Sequence, residues 1–564
     1  MTATKPGRVL IIGLDGATWD VLDPWMSDGT LPNLARLRQG GSWGALRSTL
    51  PPITAPAWSS FMTGKRPGKH GMLHFINLFG EDGAGGGEPK IVNARNLKSS
   101  TLWDIMGHHD RKVALINVPM TYPPRPVNGF MITGLLTPRN ASNFTYPPEL
   151  SEEITDYIID LDRFIDDKPF QQSHRDSEAI APSLALMGEF RAMLDKRART
   201  SLALMDSKPW DVFMVVVTGT DRMGHYLWPY HGAAGADSPP EVQELHHAVR
   251  RYYVRLDEVV GELVERAGED VTVILMSDHG MGSKYTKRMY CNNWLQQRGW
   301  LCAKSEGTGV ANPDRWIRRL GLSRDKVGRL ILRIPGLARS RLVKQAAKSR
   351  SAVADVKRSK AYCVPMYNNV MGIRINLTGE ARESLRRDIM QGLKEIVDPE
   401  TGQTPVREIY RGEDYYFGPY AGHFPDVIVI LEPDYEGTPL LGHYSSVVTR
   451  MSAPPFGGSH RMEGIFMASG PDVIANPEPL AGLNIEDVAP TILYLMGLPV
   501  PSDMDGRPLA EIVSPTVLES RPIRQGEPIG FWPREDEVTF IEEAISEQDE
   551  AEIRERLQAL GYLE

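Results

Sequence analysis

The sequence predicts an α/β protein: a doubly wound, mostly parallel sheet flanked by helices, with inserted cap segments. Three observations predict it. Short runs of Val, Ile, Leu and Met recur without polar alternation, as strands covered on both faces require. Longer stretches between them place apolar residues at steps of three and four, the spacing of crossover helices. The two patterns alternate along most of the chain, which is how layered α/β folds are written.

Arg8–Leu14 is the first buried-strand run, stopped by Asp15-Gly16. Pro32–Gln39 reads as a helix, with Leu34 and Leu37 on one side and Gly40-Gly41 as the stop. Further strand runs are Val113–Val118, Val212–Val217, Val271–Met276, Val427–Leu431 and Gly464–Ala468. Leu245, Val249, Tyr252, Leu256, Val259 and Leu263 mark an amphipathic helix between two of them. Other stretches read as insertions: the glycine-rich loop Glu81–Lys90, helical and acidic segments at about 140–205, and a larger block at about 300–415. The expected organisation is a core over 1–300, a cap over 301–415, the rest of the core over 416–512, and a linker with an acidic helix (Glu537–Leu560) over 513–564.

The 564 residues, 41% hydrophobic and 24% charged, exclude a disordered or fibrous chain. No run approaches the roughly 18 apolar residues that span a bilayer, and the N-terminal apolar run is too short for a secretory signal. Three widely spread cysteines (Cys291, Cys302, Cys363) disfavour a disulfide framework, so a cytoplasmic protein is expected. The net charge of −9 is uneven: residues 304–360 hold 16 Lys/Arg against 4 Asp/Glu. This basic segment suits an anion, whether a phosphorylated substrate under a cap or an anionic membrane surface. Nothing resembles an RNA- or DNA-binding signature, so no specific nucleic-acid partner is expected.

Four motifs stand at or near strand ends: Gly13-Leu-Asp15-Gly16, Asp221-Arg-Met-Gly-His225, Ser277-Asp278-His279-Gly280 and Gly458-Ser-His460. Open α/β sheets bind ligands at the carboxyl ends of their strands. Together the motifs supply three carboxylates and three imidazoles, a donor set for Zn²⁺ or Mn²⁺ without thiolate. Thr54-Ala-Pro56-Ala-Trp58 adds a hydroxyl at a helix start, where free N–H groups and the dipole favour an anion. Metal coordination would make that hydroxyl a nucleophile, and two ions roughly 4 Å apart would suit in-line displacement at phosphorus. Taken singly, Asp15 reads as a turn and Thr54 as a helix cap; only their joint occurrence points to chemistry.

The set Asp15, Thr54, Asp221, His225, Asp278, His279 and His460, in this order, resembles the alkaline phosphatase superfamily. It is most similar to the type I phosphodiesterase/nucleotide pyrophosphatase branch and the related bacterial phosphohydrolase or phosphomutase group. The phrases TAPAWSSFMTGKRPGKHG, SDHGM and GSHRMEGIFMASGP carry the likeness, which runs from about residue 8 to 512. The resemblance implies one metal held by Asp15, Asp278, His279 and the Thr54 oxygen, and a second held by Asp221, His225 and His460. It further implies a phosphothreonine at Thr54, hydrolysed by water. The chain departs from nucleotide pyrophosphatases in having no asparagine between Thr54 and His70, and from sulfatases in lacking their Cys/Ser-x-Pro-x-Arg frame.

The expected function is a two-metal phosphoester hydrolase, a phosphodiesterase ahead of a phosphomonoesterase, acting on a phosphorylated small molecule. A phosphomutase or phosphotransferase is the alternative on the same site; a non-catalytic anion- or membrane-binding protein would not need all six ligands. Lys65 and Arg66 follow the nucleophile helix and are candidates for substrate contact. The acidic C-terminal helix is expected to dock a partner or a second copy.

Overall fold

A computed structural model describes residues 7–77, 90–154, 156–161, 180–232, 235, 237–303, 354–441, 446–451, 457–529 and 546–559. Contacts divide the chain into two units: Met1–Lys284 with Gly412–Phe424 and Pro454–Glu564, and Tyr285–Arg411 with Pro425–Ala453.

The first unit is built on a nine-stranded sheet. Its strand order is Leu480–Asn484, Gly41–Arg47, Glu463–Ser469, Val271–Met276, Arg8–Leu14, Val212–Val217, Val113–Val118, Gly129–Thr133 and Thr145–Tyr146. Five consecutive strands, from Val271–Met276 to Gly129–Thr133, run parallel. Glu463–Ser469 runs antiparallel to both its neighbours, and Thr145–Tyr146 to Gly129–Thr133. The central strands are buried on both faces, which is why their sequences are uninterrupted β-branched and aliphatic runs. Helices Ile180–Ser207 and Pro240–Ala267 pack on one another. Asp257 caps helix Pro32–Gln39, accepting from the Leu34 N–H (2.8 Å) and the Asn33 N–H (3.1 Å), in keeping with a capping contact rather than a base.

The register of the three central strands places the site. Gly13 pairs with Met276 and Leu14 with Val217, so these strands end level with one another. Asp15 and Asp278 stand one and two residues beyond their strands, and Asp221 lies in the first turn of helix Gly219–Leu227, which follows Val217. A short antiparallel ribbon, Gly280–Ser283 with Gly458–Arg461, then sets His460 opposite Met281.

The second unit holds a four-stranded antiparallel sheet in the order Ala361–Tyr367, Val370–Ile375, Val427–Leu431 and Val406–Arg411. Leu385, Ile389 and Leu393 of helix Gly379–Lys394 join its core. This corrects the expectation for Val427–Leu431, whose apolar run fits the parallel sheet equally well but pairs with Val370–Ile375 and Val406–Arg411 instead. The expected cap boundaries move accordingly: the unit starts at Tyr285 and takes in Pro425–Ala453, while Gly412–Phe424 joins the first unit.

Most of the basic segment 304–360 lies outside the described residues. The acidic helix is observed over Glu547–Ala559. It docks on its own chain: Ile553 and Leu557 are buried, the Arg556 guanidinium donates to the Thr137 carbonyl (3.3 Å), and Glu550 accepts from the Ile91 N–H (3.3 Å). Part of its apolar face thus has an intramolecular occupant. Among the described residues, no helix is long and apolar enough to cross a membrane.

Candidate active site

Thr54 opens helix Thr54–Thr63 at its first helical position, and all ten residues of that helix are buried. The first turn of any helix has N–H groups without intrahelical acceptors, so its start favours an anion. Pro56, in that turn, forfeits no helical bond. Thr54 Oγ1 lies 3.4 Å from His279 Nε2, which joins the start of this helix to the strand ends.

The three carboxylates and three imidazoles predicted from sequence converge there, all buried. His279 Nε2 lies 3.3 Å from Asp278 Oδ2, 3.7 Å from Asp15 Oδ1 and 3.9 Å from Asp221 Oδ1. Asp221 Oδ1 is 3.2 Å from His460 Nε2 and 3.4 Å from His225 Nε2, and those two nitrogens are 2.9 Å apart. The His279 and His460 rings stack with centroids 3.5 Å apart. Two donor groups are compact enough for a cation: Asp15, Asp278 and His279, and Asp221, His279 and His460. His279 therefore stands between the two groups, whereas the family resemblance implies a place in the first alone.

Backbone contacts fix the tautomers. His460 Nδ1 is 2.7 Å from the Pro52 carbonyl and His279 Nδ1 is 3.1 Å from the Gly280 carbonyl. A carbonyl only accepts, so each Nδ1 carries a proton, and in a neutral imidazole the Nε2 lone pair faces the cluster. Asp15 Oδ1 and Asp278 Oδ2, the oxygens facing His279 Nε2, have no hydrogen-bond donor among the described residues. Their other oxygens are held: Trp58 Nε1 donates to Asp15 Oδ2 (3.2 Å) and the Gly16 N–H to Asp278 Oδ1 (3.2 Å). Gly16 is required here twice over. Its φ is +67°, and a Cβ on it would come within 3.0 Å of the Asp221 Cα.

Burial and mutual repulsion set the electrostatics. Burial, then the charges of Asp278 and Asp221, pushes the Asp15 carboxyl well above its usual range. Burial and Asp221 push Asp278 up to about 8. Asp221 goes the other way: burial opposes its ionisation, but His225 and His460 outweigh that and hold it well below the usual range. Burial keeps His279 neutral and lowers His225 to about 4. Buried carboxylates short of donors, facing imidazole nitrogens, form an arrangement that divalent cations fit.

Lys65 and Arg66 have another occupation. The Lys65 ammonium is 2.6 Å from Asp503, and Arg66 Nε is 2.7 Å from Glu486 while its guanidinium covers the Tyr415 ring. Both tie the end of helix Thr54–Thr63 to the 486–505 segment. Sequence reading missed Trp58 as a partner of Asp15, and missed Arg222, whose guanidinium holds Asp221 Oδ2 at 2.7 Å. A cation inside a motif whose neighbours are all buried is the signal that could have singled out Arg222.

The type I phosphodiesterase/nucleotide pyrophosphatase family model matches residues 9–438. No curated protein sequence matches the chain. Among solved structures, phosphonoacetate hydrolase from Sinorhizobium meliloti 1021 in complex with phosphonoacetate is 14% identical, with a TM-score of 0.49 over 87% of this chain and 95% of that one. The human ectonucleotide pyrophosphatase/phosphodiesterase 5 is 13% identical, with a TM-score of 0.45 over 91% of this chain and 99% of that one. With the match spanning most of its length, the chain belongs to the type I phosphodiesterase/nucleotide pyrophosphatase family and is a phosphoester hydrolase.

Proposed function

We propose that this hydrolase cleaves phosphodiesters through Thr54, with two divalent cations held by the carboxylate–imidazole cluster. One observation carries the reading: His279 and His460 Nε2 converge with Asp15 Oδ1 and Asp278 Oδ2, for which no described residue supplies a donor. Asp15, Asp278 and His279, with Thr54, would hold one ion, and Asp221, His225 and His460 the other. The mixed oxygen and nitrogen donors suit Zn²⁺, with Mn²⁺ as the alternative. When bound, such ions offset the charge of a phosphate ester and favour ionisation of a hydroxyl.

The residues do the rest. Thr54 Oγ1 supplies the attacking oxygen, and the helix start behind it offers N–H groups to the phosphoryl oxygens. As the Oγ1–P bond forms, the ester P–O bond breaks, the threonine proton is lost and the alcohol departs protonated. Water then attacks phosphorus, the P–Oγ1 bond breaks, and Thr54 regains its proton. Trp58 and the Gly16 N–H fix the orientation of Asp15 and Asp278, so that their remaining oxygens face inward.

The test compares a bis-aryl with a mono-aryl phosphate on purified protein whose metal content is measured. Two transition-metal ions per chain and faster diester cleavage are expected. Faster monoester cleavage overturns the diester preference, and transfer of the phosphoryl group to an added alcohol in place of water makes the protein a phosphotransferase.

A further inference from the structure

We infer that Asp160 and Arg222 form a positioning pair that presents Asp221 to a cation through one oxygen only, an inference resting on the two-cation reading above. Arg222 Nη1 donates to Asp221 Oδ2 at 2.7 Å, while Nη2 donates to Asp160 Oδ2 at 2.6 Å. All three side chains are nearly inaccessible, at 1%, 0% and 2%. With Oδ2 clamped, Oδ1 is the oxygen near His460 and His225. The guanidinium fork does what an ammonium cannot, since two of its planar N–H groups reach different carboxylates in fixed directions.

The pair is anchored from outside the site. Asp160 Oδ1 accepts from the Leu161 N–H (3.0 Å). Arg197, itself buried, donates to the Ile159 carbonyl (2.7 Å) and to the Val216 carbonyl (3.1 Å). This stitches the Asp160 segment to the end of the strand that precedes Asp221. The charges matter as much as the geometry. An unmatched guanidinium beside the cluster would repel a cation; Asp160 cancels that charge, so Asp221 is oriented at no electrostatic cost to metal binding.

The experiment uses full-length protein and Zn²⁺ alone as the probe, with affinities read by competition against a chromophoric chelator. The visible spectrum of Co²⁺-loaded protein reports ligand geometry. Arg222→Met should weaken one of two sites by about 10- to 100-fold and change the Co²⁺ spectrum, leaving the other site as in wild type. Arg222→Lys should fall between. The double variant Asp160→Asn/Arg222→Met removes both buried charges, so it avoids stranding Asp160 if the single variant misfolds; it should show the same selective loss. If wild type binds two ions and the variants bind both as tightly, or lose both equally, the positioning role is overturned while the two-cation reading stands. If wild type binds none, the two-cation reading fails and takes this inference with it.

Discussion

Thr54→Ala separates nucleophilic catalysis from every other use of the site. The side chain is fully buried at the first position of a wholly buried helix, and its Oγ1 stands 3.4 Å from His279 Nε2. Losing the buried methyl costs about 1 kcal/mol of stability, so the variant should fold. Its six partner ligands remain, so metal content should stay close to that of wild type. Turnover should not. Without the hydroxyl, only water and the electrostatics of the site remain, and kcat/KM for a bis-aryl phosphate should fall by at least about 10⁴, equivalent to about 5 kcal/mol of transition-state stabilisation. Thr54→Ser keeps the oxygen, loses only packing of the methyl, and should stay within about tenfold of wild type. Mass spectrometry of acid-quenched turnover mixtures should find one phosphoryl group, still esterified to the remaining aryl group, on the Thr54 peptide of wild type and none on that of the alanine variant. Alanine activity within tenfold of wild type, or a phosphoryl group on another residue, would refute the assignment.

Gly16→Ala should cripple the site at small cost to the fold. Forcing alanine to φ +67° costs about 1 kcal/mol, and its Cβ must displace Asp221, so metal affinity should fall more than thermal stability; an unchanged affinity would contradict the packing argument. In the second unit, burial opposes ionisation of Asp398, but Lys287 and then the Tyr435 hydroxyl outweigh it and hold the carboxyl down to about 2. A depressed carboxyl stabilises the fold above its unfolded value of about 4 and loses that contribution as pH falls toward 2, so Tm should drop across this window in wild type and more shallowly in Asp398→Asn; parallel Tm curves would count against it.

The strand ends were legible because buried strand runs stop directly at carboxylates: Leu14 before Asp15, and Met276 two residues before Asp278. His225 was legible as the i+4 partner of Asp221 on one helix. What periodicity does not encode is pairing between distant segments. Val427–Leu431 is apolar throughout whether it joins a parallel or an antiparallel sheet, so only its hydrogen-bond partners tell the two apart. Gly41–Arg47 escaped as a strand because two glycines dilute its apolar pattern, although both are demanded by close neighbours: a Cβ on Gly41 would lie 2.0 Å from the Ala468 carbonyl oxygen, and one on Gly44 2.4 Å from that of Leu480. Arg222 was hidden for the same reason, since its partner Asp160 lies 62 residues away along the chain.

The charge balance of the cluster leads to a last expectation. Arg222 is matched by Asp160, and burial keeps His279 neutral, so three buried carboxylates crowd one another. In the ion-free protein, burial and repulsion raise Asp15, and raise Asp278 to about 8. A carboxyl raised in the folded state contributes its full stabilisation below the unfolded value of about 4 and loses it as pH climbs through 8, so the ion-free fold weakens toward alkaline pH. Bound cations require the ionised carboxylates and therefore bind more tightly as pH rises. The two trends diverge. The difference in Tm between Zn²⁺-loaded and chelator-treated protein should widen from about pH 5.5 to about pH 8.5. A gap that stays constant or narrows would mean that these carboxylates do not share the cation.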